Sequence, residues 1–205
     1  MKKTIGTDCR GFTIIELLIA TMVFSFILLL AAAGLIQVGR LYQKGVIRSQ
    51  TQEVARSVMI NISESIQFNG GSVSTIVDTG DTKGYCIENK RISYRLNKKL
   101  VPGIAVSPQT KYALVVDNFP GCSASSTAQN LSGGTAIGNE LLSPNMRITE
   151  LVITEPSNNL YQISLKIAYG DDDLFNAGNC IANRIGGAYC ATASLSTTVQ
   201  KRIIR

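Results

Sequence analysis

The chain has 205 residues, a formal net charge of +6, five cysteines, and neither histidine nor tryptophan. Its length fits one small domain with a terminal appendage better than two full domains. The lack of histidine excludes Ser-His-Asp and Cys-His catalysis, imidazole zinc sites and the usual histidine pH switch.

The hydrophobic residues are spread unevenly, because many of them fall in one early run from Leu17 to Val38. This run contains 22 residues without a charge. As a helix rising about 1.5 Å per residue it would cover roughly 33 Å, enough to cross the hydrocarbon core of a membrane. Lys2, Lys3 and Arg10 precede the run, and such basic residues tend to stay on the cytoplasmic side. We therefore expect everything after the run to be extracytoplasmic.

A cleaved secretory signal and a plain membrane anchor are the alternatives for this segment. A secretory signal has an apolar region of about 7 to 15 residues, so the run is too long. A plain anchor gives no reason for Glu16, which stands at the head of the run. A carboxylate in a membrane costs on the order of 2.5 to 3.5 kcal/mol at a helix centre, and less near a helix end. Glu16 therefore indicates a function.

The residues around Glu16 form a distinctive junction, GFTIIELLIA over residues 11–20. A short basic leader is followed by Gly11, Phe12, a glutamate at the fifth mature position and a helix long enough to span. This combination resembles the class III leader junction of type IV prepilins and pseudopilins, with a likeness that covers about residues 2–38. Asp8 and Cys9 depart slightly from the usual leader, and Ala33 stands where many major pilins have proline.

The resemblance implies a processing site and an assembly site. A prepilin peptidase would cut between Gly11 and Phe12 on the cytoplasmic side and methylate the new amine of Phe12, and Glu16 would face the N-terminal amine of a neighbouring subunit. The helix macrodipole disfavours a cation at its N-terminus, so a neighbour's carboxylate would compensate both charges. The implied partners are other pilin subunits, the prepilin peptidase and the inner-membrane assembly platform. The implied domains are a leader at 1–11, a membrane and assembly helix at 12–39, and an extracytoplasmic pilin domain at 40–205.

Beyond the membrane the helix is expected to continue over residues 40–69. Apolar residues recur there at steps of seven and four, as is typical of an amphipathic helix lying on a sheet: Ile47, Val54, Val58, Ile62 and Ile66. Gly45 is its weak point, and Gly70-Gly71 is a natural stop. The pattern predicts one helix from Phe12 to about Phe68.

Residues 70–205 change to a period of two, which predicts half-buried strands. The expected strands are Arg91–Leu96, Tyr112–Asp117, Ile148–Thr154, Ile163–Tyr169 and about Ala193–Val199, with a hairpin connection at residues 156–159. One long helix followed only by strands predicts an α+β fold with an antiparallel sheet packed on the helix. This is also the fold that the resemblance to type IV pilins implies.

The cysteines fit an oxidising compartment. Cys9 would leave with the leader, so the mature chain would keep Cys86, Cys122, Cys180 and Cys190. Three pairings are possible, and we favour Cys86 with Cys122 and Cys180 with Cys190 because the members of each pair are near in sequence. The rival interpretation is a metal site of four thiolates, but no CxxC spacing supports it.

Two other features suggest ligands. Asp171, Asp172 and Asp173 could supply oxygen ligands for calcium, but they lack the spacing of a known calcium loop, and a solvated turn is the favoured interpretation. Arg95, Lys98 and Lys99 could hold DNA phosphates beside a stacking Tyr94, yet a solvated basic face is favoured over nucleic-acid binding.

These features favour a structural filament subunit that needs no cofactor and has no enzymatic activity. We expect a minor pilin of a type IV pilus, serving adhesion, twitching or DNA uptake, because the chain is longer than most major pilins and residues 195–202 loosely resemble the last strand of minor pilins. The subunit would be single-pass in the cytoplasmic membrane before it enters an extracellular pilus. A pseudopilin of a type II secretion or competence apparatus is the alternative. A non-polymerising adhesin or DNA receptor explains the anchor but not the leader junction, and an envelope enzyme needs a catalytic constellation that is not visible.

Overall fold

The computed structural model describes residues 11–68, 72–104, 109–176, 178–181, 184 and 186–202. Contacts divide the chain into two compact units, one ending at Tyr42 and the other beginning at Gln43. A single helix, α1, comprises Ile14–Phe68. Antiparallel sheets follow it, so the α+β class expected from the sequence is confirmed.

The buried face of α1 confirms the amphipathic pattern and extends it. Val58, Ile62 and Ile66 are buried as predicted, and α1 continues without interruption through Gly45. The proposed stop at residues 70–71 lies outside the described residues. Thr51 is also buried, which apolar periodicity did not indicate. Its hydroxyl donates to the carbonyl of Ile47 at 2.8 Å, so the helix itself satisfies this polar group.

Among the described residues, seven short strands follow α1, and five of them form the first sheet. In chain order they are β1 (Val73–Thr75), β2 (Thr82–Ile87), β3 (Lys90–Arg95), β4 (Lys99–Leu100), β5 (Gln109–Thr110), β6 (Leu114–Asn118) and β7 (Asn139–Glu140). Five of them form an antiparallel sheet in the order β1-β2-β3-β6-β7. The other two, β4 and β5, pair in parallel over two residues, which the sequence analysis did not anticipate.

The second sheet has longer strands. The remaining strands, in chain order, are β8 (Met146–Ser157), β9 (Leu160–Tyr169), β10 (Phe175–Asn176), β11 (Asn179–Cys180) and β12 (Ala191–Gln200). Of these, β8, β9 and β12 are long, and β10 and β11 are short. The long strands form an antiparallel sheet in the order β12-β9-β8, and β10 pairs with β11. The predicted hairpin connection is confirmed, because β8 and β9 are joined by a turn at Asn158-Asn159. The five predicted strands are all present, with their ends moved by a few residues.

One hydrophobic core joins the second half of α1 to both sheets. Ile62 of α1, Ile92 of β3 and Ile163 of β9 belong to it, and each is almost fully buried. The Tyr94 hydroxyl crosses from β3 to donate to the carbonyl of Leu151 on β8 at 3.3 Å. A buried tyrosine hydroxyl needs a hydrogen-bond partner. Here the partner lies on the other sheet, so the bond links the two sheets.

A carboxylate stabilises the start of β6 from inside the fold. Glu140 on β7 accepts hydrogen bonds from the backbone N–H groups of Ala113 at 2.7 Å, Leu114 at 3.0 Å and Leu142 at 3.0 Å. Burial raises the pKa of this carboxyl, and the backbone N–H groups oppose the rise. Glu140 is thus a structural acceptor for backbone groups that would otherwise lack partners.

Two disulfides attach the long loops to the sheets. Cys86 on β2 is bonded to Cys122 in the segment after β6, with 5.6 Å between their Cα atoms. Cys180 on β11 is bonded to Cys190 just before β12, with 5.8 Å between their Cα atoms. These are the pairs that the sequence analysis favoured, and they leave none of the four sulfurs available to a metal ion.

We predict that Glu140→Gln lowers the free energy of unfolding by about 1 to 3 kcal/mol, because an amide cannot accept all three backbone N–H groups. The measurement is denaturant unfolding of the full chain in detergent micelles. Glu155→Gln is the matched control, since the Glu155 carboxylate is exposed and accepts the Asn159 N–H at the surface. Equal stability of the two variants would contradict the role assigned to Glu140.

We also predict that Cys86, Cys122, Cys180 and Cys190 resist alkylation in the native, unreduced protein. Digestion without reduction should give two linked peptide pairs, one for each bond in the structure. Mass spectrometry of the digest is the measurement. A free thiol at any of these positions, or a linked peptide with another pairing, would contradict the structure.

Candidate functional site

The first turn of α1 is organised around Thr13 and Glu16. The Thr13 backbone N–H and hydroxyl both donate to Glu16 Oε2, at 3.0 Å and 2.8 Å. The Glu16 N–H in turn approaches Thr13 Oγ1 at 3.4 Å. This reciprocal arrangement is a capping box, which satisfies backbone donors that have no partner within a helix. It explains why α1 begins at Ile14.

Sequence reasoning missed this local role of Glu16, although the signal was present. The spacing Thr13-x-x-Glu16 before an apolar run is the sequence signature of a capping box. A carboxylate at this position therefore has a reason within its own helix as well as the expected one between subunits.

The two oxygens of the Glu16 carboxylate have different surroundings. Oε2 accepts both bonds from Thr13, whereas no described residue donates to Oε1. The neighbouring Phe12 is 80% exposed, and Gly11 is exposed as well. One oxygen is thus held by the helix, and the other is open to an external donor.

The apolar run of α1 has the length and composition of a membrane anchor. Its most apolar window of 18 residues has a mean hydropathy of 2.6 and no buried residue. Leu29 and Leu35, for example, are 70% and 75% exposed. The hydroxyls within the run are satisfied by the helix, since Thr21 donates to the Leu18 carbonyl at 3.0 Å and Ser25 to the Thr21 carbonyl at 2.7 Å. These side chains can enter lipid without unsatisfied polar groups.

The basic residues considered for nucleic acid do not form an accessible patch. Arg95 is 5% exposed and donates to Asp81 Oδ2 at 2.5 Å, and that bond holds the pKa of the Asp81 carboxyl below its usual range. The Lys98 ammonium lies 3.9 Å from the same carboxylate. Lys99 and Tyr94 are buried. The prediction of a solvated basic face is therefore wrong, and the residues named for DNA binding are occupied within the fold.

The aspartate triplet is exposed at Asp171 and Asp173, as expected for a solvated turn, but it also bonds to buried cations of the fold. Asp171 accepts a hydrogen bond from the buried Lys99 ammonium at 2.7 Å, and Asp172 accepts one from the buried Arg147 guanidinium at 2.6 Å. These bonds attach the loop to β4 and β8. They also occupy two of the carboxylates considered for calcium. Across the part of the chain that the structure describes, no three Asp, Glu, Cys or His side chains are grouped to hold a metal ion.

Comparison with known proteins identifies the N-terminal segment. Residues 7–32 match the family described as the prokaryotic N-terminal methylation motif. The matched residues contain Gly11, Phe12, the Thr13–Glu16 capping box and most of the apolar run, as far as residue 32. Neither the comparison with curated proteins nor that with solved structures found a match. The chain therefore carries the class III leader and methylation motif, which is consistent with a type IV pilin-like protein.

Proposed function

We propose that this chain is a structural subunit of a type IV pilus, of the minor pilin class. One observation carries the proposal. The methylation motif contains Glu16 at the head of an exposed apolar helix, and only one oxygen of the Glu16 carboxylate accepts hydrogen bonds from described residues. A plain anchor could use the carboxylate to cap its own helix, but it does not need the methylation motif.

Maturation begins at the bond between Gly11 and Phe12. A prepilin peptidase hydrolyses this bond, leaving a carboxylate on Gly11 and an amine on Phe12 that receives a methyl group from a donor bound by the enzyme. Gly11 is exposed, and no other described atom lies within 4 Å of the position that a β-carbon would take. The fold itself therefore gives no reason for glycine here, whereas close approach by a protease does.

Assembly uses the open oxygen of Glu16. The methylated amine of Phe12 on a neighbouring subunit approaches Oε1, while Thr13 holds Oε2 in position. The ion pair forms in apolar surroundings, where an unpaired charge is costly, so it selects the register in which a new helix enters. The contact joins different surfaces of the two subunits, so it propagates along a helical fibre without closing into a ring.

The exposed apolar run supplies the bulk of the filament core. Its side chains face lipid before assembly and pack against other subunits afterwards. The second unit, from Gln43 onward, lies outside the membrane in an oxidising compartment, where its disulfides persist. The subunit thus passes from the cytoplasmic membrane to an extracellular pilus.

We predict that Gly11→Val leaves the full-length precursor in the membrane and abolishes assembly, because a branched side chain blocks the protease from the backbone. Intact-mass measurement of the membrane-extracted protein is the readout. Gly39→Val is the matched control, since Gly39 is also exposed with open space around it, and it should be processed normally. A product that begins at Phe12 in the Gly11→Val variant would contradict the proposal.

We predict that Glu16→Ala and Glu16→Gln both lower incorporation into sheared filaments by about tenfold or more, because each removes the partner of a buried amine. Processing at Gly11 and disulfide formation should not change. The measurement is a quantitative blot of this protein in the fibres against its membrane pool.

The glutamine variant separates the two roles of Glu16, because glutamine still completes a capping box. Thr13→Val is the converse control, since it removes the capping hydroxyl and keeps the carboxylate. Wild-type incorporation of Glu16→Gln, together with poor incorporation of Thr13→Val, would show that only capping matters and would contradict the register role.

A further inference from the structure

The strand β12 leaves one long edge of the second sheet open. All ten of its residues pair with β9, from Ala191 opposite Tyr169 to Gln200 opposite Leu160. On its other side, no strand in the described part of the chain pairs with it. Half of the backbone N–H and C=O groups of an edge strand point outward, so β12 presents a template for another extended segment.

The other edge of this sheet is protected in ways that β12 is not. The strand β8 carries Pro156, the exposed carboxylates of Glu150 and Glu155, and two register shifts against β9. Prolines, charges and bulges are the usual devices that prevent edge pairing. The sequence of β12, ATASLSTTVQ, contains no charge and no proline.

The two ends of β12 are basic. At its start, Lys44 and Arg48 of α1 line a cavity of about 270 Å³ together with Ala191 and Thr192. At its end, Lys201 and Arg202 line a cavity of about 610 Å³, which includes Gln200 and the end of α1. Among the described residues, no carboxylate forms an ion pair with these four cations. The open edge is thus a neutral strand between two positive ends.

We propose that the open edge of β12 binds an extended segment of a different polypeptide, uncharged in its middle and acidic at both ends. Ten residues at about 3.3 Å each separate the positive ends by roughly 33 Å, so the segment is about ten residues long. Main-chain hydrogen bonds to β12 supply affinity, and the end charges set register and specificity. The contact is separate from the Glu16 site and does not depend on filament assembly.

The same charges argue against a second copy of this chain as the occupant. If β12 paired with β12 of another copy in antiparallel register, Lys44 and Arg48 of one copy would face Lys201 and Arg202 of the other. In parallel register each basic end would face its own equivalent. Like charges meet in both cases, which disfavours self-association.

The test uses the full chain in detergent micelles and fluorescein-labelled peptides. The probe has four Thr-Val repeats between two glutamates at each end, and the matched probe has lysines in place of the glutamates. We expect the acidic peptide to bind about tenfold tighter or more, by fluorescence anisotropy, and its affinity to fall as salt is added. Amide hydrogen exchange should slow in residues 191–200. An acidic peptide with proline at all eight middle positions should not bind, because its middle then has no N–H donor on either edge.

A charge-reversed variant tests the ends of the edge directly. Lys44→Glu combined with Arg48→Glu should weaken the acidic peptide about tenfold or more and improve binding of the lysine-ended one. Arg56→Glu is the control, because Arg56 lies on the same helix but lines a cavity that contains no residue of β12. Arg56→Glu should change the affinity for either peptide by no more than about twofold, because the effect of a distant exposed charge is screened.

Three results would overturn the proposal. One is absence of binding by the acidic peptide up to millimolar concentration. Another is protection from exchange outside β12 when the peptide is bound. The third is a stable dimer of the chain in micelles that protects residues 191–200 without any peptide, which would make a second copy the occupant.

Discussion

The organisation of the N-terminal segment depends on one carboxylate at the entrance to an apolar helix. Glu16 stands before a run that can enter lipid, and a charge in that position must find hydrogen-bond donors. Thr13 supplies two donors to Oε2, which also fixes the start of α1. The other oxygen has no donor among the described residues. This difference between the two oxygens is what allows one side chain to cap its own helix and to receive a neighbour's amine.

The second unit also contains charged groups that need hydrogen-bond partners, because they are buried. Arg95, Lys99 and Arg147 are buried cations on or beside strands, and each meets an aspartate from a turn or loop. Burying a charge is tolerated only with a partner, so these bonds hold the turns and loops against the sheets. The disulfides add covalent attachments, one between β2 and the segment after β6 and one between β11 and the start of β12. The domain therefore combines a compact core with loops whose positions are set by specific bonds.

Local sequence patterns were sufficient for much of the fold. The periods of 3.6 and 2 predicted α1 and the long strands, because each element has one face in the core. The disulfide pairs followed from short separations of 36 and 10 residues along the chain. Residues 11–20 indicated the leader junction, since a motif of adjacent residues needs no tertiary information.

What could not be predicted depends on contacts between distant residues. Lys99 and Asp171 are 72 positions apart, so neither residue alone reveals that the other neutralises it. The basic patch was therefore interpreted as solvated, although Arg95 and Lys99 are buried. The exposure of the aspartate triplet was predicted, but the bonds of Asp171 and Asp172 to buried cations were not. The structural role of Glu140 could not be predicted from the sequence, because the donors to its carboxylate are backbone N–H groups at distant positions. The capping box of Thr13 and Glu16 was visible in the sequence, but the expected role between subunits obscured it.

The most direct measurement of the central claim is the intact mass of this chain recovered from sheared, purified filaments. A processed subunit predicts the mass of residues 12–205 with two disulfides and one added methyl group, located on the amine of Phe12 by fragmentation. Absence of the chain from the filaments, or a mass that still includes residues 1–11, would contradict its assignment as a pilus subunit.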